Sequence, residues 1–415
     1  MTSHAAPADP SDAEAAPPDT DAAPPEPTWR PDTLAVRGGA RRSDLDETAE
    51  ALFLTSGFVY PSAEEAAASF AGDSDHYVYS RLRNPTTSML EERLRQLEGA
   101  EAAWATASGM SAVFNALAAT VRAGDRVVAA RALFGSCFQV LDQLLPRWGI
   151  TTTFVDGTDL DAWEQALATP TRAVFLETPS NPMQELVDLR AVSERAHAVG
   201  ARVIVDNVFA TPVLQRPLEL GADLVVYSTT KHLDGHGRTL GGAILGPTAF
   251  MDDELKPLMQ HTGPTLSPFN AWVVLNALPT LRLRVEHQTA TALTLARWLE
   301  DHPSVATVRY PWLASHPQHD LARSQMAGGG SIVTLELDGG TERAFRVLNA
   351  LELIDISNNL GDARSLATHP ATTTHHRVGA AVRASMGVGD GVLRLSVGLE
   401  DVADLQDDLD RALSR

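Results

Sequence analysis

A chain of 415 residues with 44% hydrophobic and 21% charged side chains can bury a large core, and its length predicts a soluble globular protein with two domains. Its formal net charge of -20 repels phosphate backbones and anionic lipids, which excludes nucleic acid and membranes as expected partners. The single cysteine, Cys137, excludes an intramolecular disulfide framework and favours the cytoplasm as the location.

The start of the sequence is rich in Ala, Pro, Asp and Glu and has almost no large apolar side chains. Such a segment cannot offset the entropy cost of folding, so residues 1–32 are predicted to form a disordered acidic tail. The tail lacks the basic start and apolar centre of a signal peptide. No later stretch is long and apolar enough to be expected to span a bilayer.

Helix and strand patterns alternate from about residue 87. Three leucines share one face of the first predicted helix, which Gly99 is expected to end. The same spacing of apolar residues predicts a second helix at 110–121. Short apolar runs predict strands at 102–107, 126–130, 151–155, 172–177, 202–206 and 223–227.

Several of these predicted strands are continuously apolar, as at 203–205. Strands of this kind are buried on both faces, which indicates a mostly parallel sheet flanked by helices. We therefore expect an α/β large domain at 87–275. Further along, a long helix, strands at 331–337 and 392–397, and a terminal amphipathic helix predict a smaller α+β domain at 276–415.

Lysine is rare in this sequence: Lys231 and Lys256 stand beside 31 arginines. An amine can lose its proton and attack a carbonyl, whereas a guanidinium stays protonated over the accessible pH range. Lys231 follows the predicted strand at 223–227, a placement that a biased composition alone would not explain. We therefore assign Schiff-base chemistry to Lys231, whereas Lys256 lies beside three acidic residues and has the surroundings of a surface residue.

Polar residues follow two of the predicted strands at their carboxyl ends, where parallel sheets bind ligands. The turn Ser108-Gly109-Met110 begins a helix, whose free N–H groups favour a phosphate, although such a turn can also be only a tight connection. Asp206 ends another strand. A carboxylate there could cap a helix or pair with a cation, but beside a pyridine nitrogen it makes the ring an electron sink.

A third polar group follows the strand at 223–227. Ser228 and Thr230 could direct two hydroxyls toward one phosphate while Lys231 reaches a ring aldehyde. A strand-end Asp206, then another strand, then this Ser-x-Thr-Lys segment is the layout that a pyridoxal phosphate site needs. The sequence therefore predicts that cofactor.

Six short stretches carry a resemblance to a known family: Tyr79-Ser80-Arg81, Asn84-Pro85-Thr86, Ser108-Gly109-Met110, Glu177 to Pro182, Asp206-Asn207 and Ser228 to Lys231. As a set they resemble the Cys/Met-metabolism pyridoxal phosphate enzymes of fold type I. The resemblance runs from about residue 33 to the end of the sequence. It implies a fold type I transferase with the two domains described above.

The resemblance also implies a role for each matching residue. Lys231 would form the Schiff base with the cofactor, Asp206 would pair with the ring nitrogen, and Asn181 would contact the ring hydroxyl. Arg394 would bind the substrate α-carboxylate, as a guanidinium suits this geometry. The phosphate would be bound by residues of the same subunit: Gly109, Met110, Ser228 and Thr230.

A shared active site is a further implication of the resemblance. Residues 33–86 would form an arm that contacts a neighbouring subunit. Tyr79 and Arg81 of this arm would reach the neighbour's phosphate, and Tyr79 would also take part in substrate binding and catalysis. We therefore expect a homotetramer built from dimers that share active sites.

Two residues depart from the family pattern. Phe134 stands where many relatives place a tyrosine over the cofactor ring; it can stack but cannot transfer a proton, which leaves acid–base chemistry to Lys231 and Tyr79. Asn359 stands where several relatives have serine, and it is expected near the substrate and Lys231.

Other stretches resemble one subgroup, the O-succinylhomoserine sulfhydrylases: Phe134 to Cys137, Asp234 to Arg238, Ile356 to Gly361 and His369 to His375. This implies γ-replacement that converts O-succinylhomoserine and sulfide to homocysteine and succinate in methionine biosynthesis. Cystathionine γ-synthase, O-acetylhomoserine sulfhydrylase and methionine or cystathionine γ-lyase are alternatives within the family. A non-catalytic regulator with this fold is disfavoured by the retained motifs, and a nicotinamide-dependent oxidoreductase by the missing Gly-rich dinucleotide turn.

No metal site is expected. His232 and His236 have the spacing of many zinc pairs, but Gly235 and Gly237 disfavour the helix that such a pair needs. Surface or substrate-side positions are expected for two further pairs: His316 with His319 and His375 with His376.

Overall fold

The computed structural model describes residues 29–415, and residues 1–28 of the predicted tail lie outside this range. Residues Pro31–Arg415 form one compact unit. The unit begins with helix α1, Pro31–Arg37, so the first helix includes the last two positions of the predicted tail. The four-part division of the chain at residues 32, 86 and 275 stays a prediction.

A seven-stranded sheet dominates the first two thirds of this unit. Its strands are β1 (Ala102–Thr106), β2 (Arg126–Ala130), β3 (Thr151–Val155), β4 (Ala173–Glu177), β5 (Arg202–Asp206), β6 (Leu224–Tyr227) and β7 (Gly242–Gly246). They are ordered β1-β7-β6-β5-β4-β2-β3, and only β7 runs antiparallel to its neighbours. Because β1 and β6 both oppose β7, the carboxyl ends of β1, β4, β5 and β6 meet at the same edge of the sheet.

Helices cover both faces of this sheet because its central strands are apolar on both sides. Every residue of β4 is buried, and separate hydrophobic cores occupy the two faces. The remaining helices of this part are α2 (Ala63–Ala71), α3 (Pro85–Glu98), α4 (Gly109–Thr120), α5 (Gly135–Gln139), α6 (Leu160–Leu167), α7 (Leu189–Ala198), α8 (Thr211–Leu214), α9 (Thr248–Phe250), α10 (Lys256–Thr262) and α11 (Pro268–Ala277).

The local sequence explains where α3 begins and ends. The Asn84 side chain accepts the N–H of Thr86 at 2.9 Å, and Pro85 occupies the first turn, where no N–H is needed. Gly99 ends the helix with a φ of 79°, a left-handed conformation that glycine adopts without strain. The prediction that Gly99 ends this helix is confirmed.

A five-stranded sheet forms the core of the C-terminal part. Its strands are β8 (Thr307–Arg309), β9 (Ile332–Glu336), β10 (Asp355–Ile356), β11 (Leu366–Thr368) and β12 (Val392–Ser396), ordered β10-β11-β12-β9-β8. The helices of this part are α12 (Leu281–Glu300), α13 (His319–Gln325), α14 (Gly340–Ala350), α15 (Ala380–Ser385) and α16 (Val402–Leu413). All its strand pairs are antiparallel except β10 with β11.

The predicted fold class is confirmed: a large, mostly parallel sheet flanked by helices is followed by a smaller mixed part. Strand β7 was not predicted, because its apolar run is only Ala243-Ile244-Leu245 and glycines flank it. Within residues 29–415, no helix is both long and apolar enough to cross a membrane.

Candidate active site

The ends of β1 and β6 come together at the predicted phosphate position. Ser108 caps α4 by accepting the N–H of Ser111 at 3.1 Å, so the helix starts at Gly109 directly after β1. A side chain at position 109 could not fit, because an added Cβ would lie 2.6 Å from Cβ of Ser228. The free N–H groups of a helix start therefore lie beside the Ser228 hydroxyl, which suits an anion.

Lys231 lies in the tight turn that follows Ser228. Its Nζ donates a 2.6 Å hydrogen bond to Oδ1 of Asn359, which the C-terminal part contributes. Burial and the positive charge of Arg394 lower the pKa of Lys231 to about 8. The turn thus presents an amine that loses its proton far more easily than a surface lysine.

Two carboxyl groups lie side by side where β4 and β5 end. Glu177 pairs in register with Asp206 across the parallel strands, and both side chains are buried. Burial raises the pKa of Asp206 to about 7, and burial together with the Asp206 charge raises the pKa of Glu177 well above its usual range. Each carboxyl therefore opposes ionisation of the other, and a cation beside Asp206 would favour its charged form.

Arg394 enters the site from the middle of β12. Its neighbours Leu393 and Leu395 face the core of the C-terminal part, so alternation along the strand turns the guanidinium to the opposite face. One of its amino groups, Nη1, donates to Oδ1 of Asn181 at 3.0 Å, and Nη2 donates to the carbonyl of Asn358 at 2.9 Å. Its Nε is buried and has no acceptor among the described residues.

Nine of the predicted site residues line a single cavity of about 240 Å³ at the carboxyl edge of the large sheet. They are Gly109, Met110, Phe134, Asn181, Asp206, Ser228, Thr230, Lys231 and Arg394. Asn359 contacts the Lys231 amine, while its neighbour Asn358 lines the cavity. The structure thus brings residues from both sheets into one pocket.

Tyr79 and Arg81 do not line this cavity. The Tyr79 side chain is 43% exposed and lies near the guanidinium of Arg81, which donates to the carbonyl of Gln260 in the same chain. This placement leaves both side chains outside the pocket of their own subunit.

Sequence reasoning assigned no role to Glu177, although it ends a buried strand as Asp206 does. Surface positions are excluded for His316 and His375, which are buried and lie at the carbonyls of Gln184 and Leu133, whereas a substrate-side position for His375 stays a prediction. A buried histidine can satisfy a backbone carbonyl, and one sequence gives no signal for such a partner.

The histidines with zinc-like spacing do not form a cluster. His232 is buried and its Nε2 lies 2.7 Å from the hydroxyl of Ser331, while no helix passes through His232 and His236. Within residues 29–415, no group of three or more potential ligand side chains is placed to hold a metal.

The pocket's donor groups fit pyridoxal phosphate. A helix start and a serine hydroxyl suit the phosphate, the Lys231 amine suits the aldehyde, and the buried Asp206 suits a protonated ring nitrogen that supplies the missing cation. The glycine at position 109 keeps the phosphate end of the pocket open. These observations concern the chain's own residues and are independent of any relative.

Comparisons with known proteins agree with this fit. A family model described as Cys/Met metabolism PLP-dependent enzyme matches residues 32–414. An O-succinylhomoserine sulfhydrylase from Mycobacterium tuberculosis is 62% identical over 386 residues, which cover 92% of this chain and 95% of that protein. An O-succinylhomoserine sulfhydrylase from Pseudomonas aeruginosa is 48% identical, with 92% of this chain and 95% of that protein covered.

A solved structure resembles this one closely. It is described as an O-acetylhomoserine (thiol)-lyase from Campylobacter jejuni that carries a pyridoxyl-lysine phosphate. The two chains are 29% identical with a TM-score of 0.89, and the match covers 93% of this chain and 100% of the other.

Proposed function

The chain belongs to the Cys/Met metabolism family of pyridoxal phosphate-dependent enzymes, and from this premise we propose that it converts O-succinylhomoserine and sulfide to homocysteine and succinate. The 62% identity to an O-succinylhomoserine sulfhydrylase, along nearly the whole of both chains, is the observation that carries the proposal. A pocket with the amine, carboxyl and guanidinium that such a reaction needs supports it. The reaction would place the enzyme in methionine biosynthesis.

Cofactor binding falls to residues at the carboxyl edge of the large sheet. When bound, pyridoxal phosphate supplies an aldehyde for covalent attachment and a ring that withdraws electrons from the substrate. Asp206 would hold the ring nitrogen protonated, while Phe134 would stack on the ring. Asn181 would face the ring hydroxyl, and its Oδ1 already accepts a hydrogen bond from Arg394.

Substrate orientation falls to Arg394. A carboxylate can accept two parallel hydrogen bonds from a guanidinium, and the buried Nε of Arg394 finds no acceptor within residues 29–415. The other nitrogens are tied to Asn181 and to backbone carbonyls, so the guanidinium is held in one orientation before the substrate arrives.

Proton transfer falls mainly to Lys231. Its lowered pKa makes the neutral amine accessible near neutral pH, so the freed Nζ can accept the Cα proton and then move a proton at Cβ. Phe134 has no hydroxyl and cannot transfer a proton, which leaves Tyr79 of a neighbouring subunit as the second acid–base group.

The overall exchange occurs at Cγ of the substrate. The Cγ–O bond breaks and its electron pair leaves with succinate, while a Cγ–S bond forms from sulfide. One proton of hydrogen sulfide is taken up by the carboxylate that is released, so the exchange balances. No oxidant or reductant is consumed. The amino-acid carbon skeleton is otherwise unchanged in homocysteine.

An oligomer with shared sites is part of the proposal. Tyr79 and Arg81 lie outside the pocket of their own chain, and the preceding arm exposes large apolar side chains: Leu45, Leu54, Val59 and Phe70. Several exposed large apolar side chains on one segment favour contact with another protein surface. We assign that surface to a second copy, with a tetramer as the complete assembly and a cytoplasmic location that suits a chain with one cysteine.

Product analysis tests the reaction. Purified protein is incubated with O-succinylhomoserine or O-acetylhomoserine, each with sulfide, with cysteine or with no thiol. Homocysteine formed fastest from the succinyl ester and sulfide is the expected result. Dominant cystathionine from cysteine would identify a cystathionine γ-synthase instead, faster turnover of the acetyl ester would reassign the acyl donor, and 2-oxobutanoate without a thiol would identify a γ-lyase.

Subunit mixing tests the shared site. Lys231→Ala and Arg81→Ala proteins should each have little activity, because each lacks one required side chain in every active site. Unfolding and refolding them together should restore activity, since a mixed dimer contains one site with neither substitution. Failure to restore activity in dimers shown to be mixed would contradict the assignment of Arg81 to a neighbour.

A further inference from the structure

One peptide group beside the pocket is held from both sides by buried side chains. The N–H of Phe134 donates to Oε2 of Glu177 at 2.7 Å. The carbonyl of Leu133, in the same peptide group, lies 3.3 Å from Nε2 of His375. Glu177 is 4% exposed and His375 is fully buried, so water does not compete for either contact.

The tautomer of His375 follows from its partners. A carbonyl oxygen can only accept a hydrogen bond, so Nε2 of His375 must be protonated and donate to the Leu133 carbonyl. Burial lowers the pKa of His375 to about 4, so the ring is neutral and Nδ1 accepts a hydrogen bond from the Thr374 hydroxyl 2.9 Å away. The ring is therefore fixed at both nitrogens.

A glycine allows the segment that carries His375 to come this close. An added Cβ on Gly135 would collide with the carbonyl oxygen of Thr374. His375 is separated by 242 positions from Leu133 in the sequence, so the contact joins the start of α5 to a distant part of the chain.

Backbone fixation matters more in this chain than in one with a tyrosine at position 134. Phe134 has no hydroxyl through which its ring could be anchored, so its orientation depends on its backbone and on packing. The two contacts on the 133–134 peptide restrict that backbone.

We propose that Glu177 and His375 are positioning residues that clamp the Leu133–Phe134 peptide, and so orient Phe134 against the cofactor ring. This rests on the proposed function only in requiring that the cofactor binds in this pocket.

Three variants and two matched controls test the clamp. Glu177→Leu removes the acceptor, and His375→Leu removes the donor. His375→Gln keeps an amide N–H near the Nε2 position and should restore the behaviour of the unsubstituted protein. The matched controls are Glu91→Leu, because Glu91 accepts the N–H of Ala105 at 2.8 Å elsewhere, and His316→Leu, because His316 is a buried histidine at another carbonyl.

Amide hydrogen exchange in the cofactor-free protein is the first measurement. Exchange of the Phe134 amide should be roughly tenfold faster in Glu177→Leu, since this N–H loses its buried acceptor. His375→Leu should have a smaller effect in the same direction. The control variants should leave this amide unchanged, even where global stability falls.

Visible circular dichroism of the bound cofactor is the second measurement, because it reports how asymmetric the surroundings of the ring are. Both clamp variants should change this signal, His375→Gln should restore it, and the controls should leave it unchanged. For whichever substrate is turned over, kcat should fall roughly tenfold while KM changes by less than about twofold, since orientation rather than binding is lost.

Unchanged exchange at Phe134 together with unchanged dichroism in either Glu177→Leu or His375→Leu would overturn the proposal. Equal changes in the Glu91→Leu control would overturn it as well. If the protein makes no homocysteine but both signals respond as expected, the clamp stands and only the proposed function fails. Should one of the two leucine variants at positions 177 and 375 not fold, the other one, together with His375→Gln, still decides between these outcomes.

Discussion

The two sheets contribute to the pocket in different ways. The large parallel sheet places its functional groups after strand ends, as with Asp206 and Lys231, because the carboxyl ends of its strands share one edge. The five-stranded sheet places Arg394 in the middle of a strand, where alternation turns one side chain away from the apolar core.

This difference indicates a division of labour. The groups assigned to the cofactor ring and the main proton carrier, Lys231, follow strands of the large sheet, and the group assigned to the substrate carboxylate lies on the small one. Variants of the large sheet should therefore lower kcat and alter the cofactor, while variants at Arg394 should act mainly on KM.

The largest effect is expected for Lys231→Ala. Removing the amine abolishes covalent attachment and the main proton carrier, so the rate should fall by at least about 10³-fold. The visible absorbance of the attached cofactor should disappear. Lys256→Ala is the matched control, because Lys256 is exposed and forms a surface ion pair with Asp252 at 3.8 Å.

Asp206→Asn should lower kcat by roughly 10²-fold, because a neutral amide cannot stabilise the protonated ring nitrogen. The change also removes the charge that raises the pKa of Glu177, which should then ionise at lower pH. Steady-state kinetics and the absorbance spectrum measure the first effect. An unchanged kcat would remove Asp206 from the catalytic groups.

Arg394→Lys should raise KM by roughly 10- to 100-fold, because an ammonium cannot make the two parallel hydrogen bonds to a carboxylate. The value of kcat should change much less, which would separate the small sheet's contribution from that of the large one. A fall in kcat with constant KM would contradict the division of labour.

The pKa of Lys231, which follows a strand of the large sheet, depends on the charge of Arg394 on the small sheet. With a pKa of about 8, the neutral fraction of its amine rises roughly tenfold between pH 7 and pH 9, so attachment of pyridoxal phosphate to cofactor-free protein should accelerate over that range. Arg394→Gln should shift this profile to higher pH, because the lost positive charge had disfavoured the protonated amine. Identical profiles in both proteins would exclude such a coupling.

The smallest effect on rate is expected for Asp408→Ala in the small part. Asp408 is buried and accepts the N–H groups of Glu352, Leu353 and Ile354. Its loss should reduce the free energy of unfolding by roughly 2–4 kcal/mol. Denaturant unfolding measures that loss, while kcat and KM of the folded fraction should stay the same.

Most strands of the large sheet could be predicted because long-range contacts hardly alter their local pattern. Apolar runs bounded by turns predicted β2, β3 and β5 at their observed bounds. Strand β7 was missed because a run of three apolar residues between glycines has no distinctive local pattern. Its pairing with β1 is what aligns the ends of β1 and β6.

The site was predicted only in part. Asp206 and Lys231 could be found from their position after strands, and Arg394 only from the family resemblance. Glu177 and His375 gave no signal of a role, because their partners are backbone groups in other segments.

The sequence by itself determined the alternating elements, the rare lysine after a buried strand and the family to which the chain belongs, since these depend on local pattern and residue identity. The tertiary structure decided which groups share the pocket, the lowered pKa of Lys231, and the paired carboxyls of Glu177 and Asp206. Burial and charge proximity cause these effects, and both exist only once distant segments pack together.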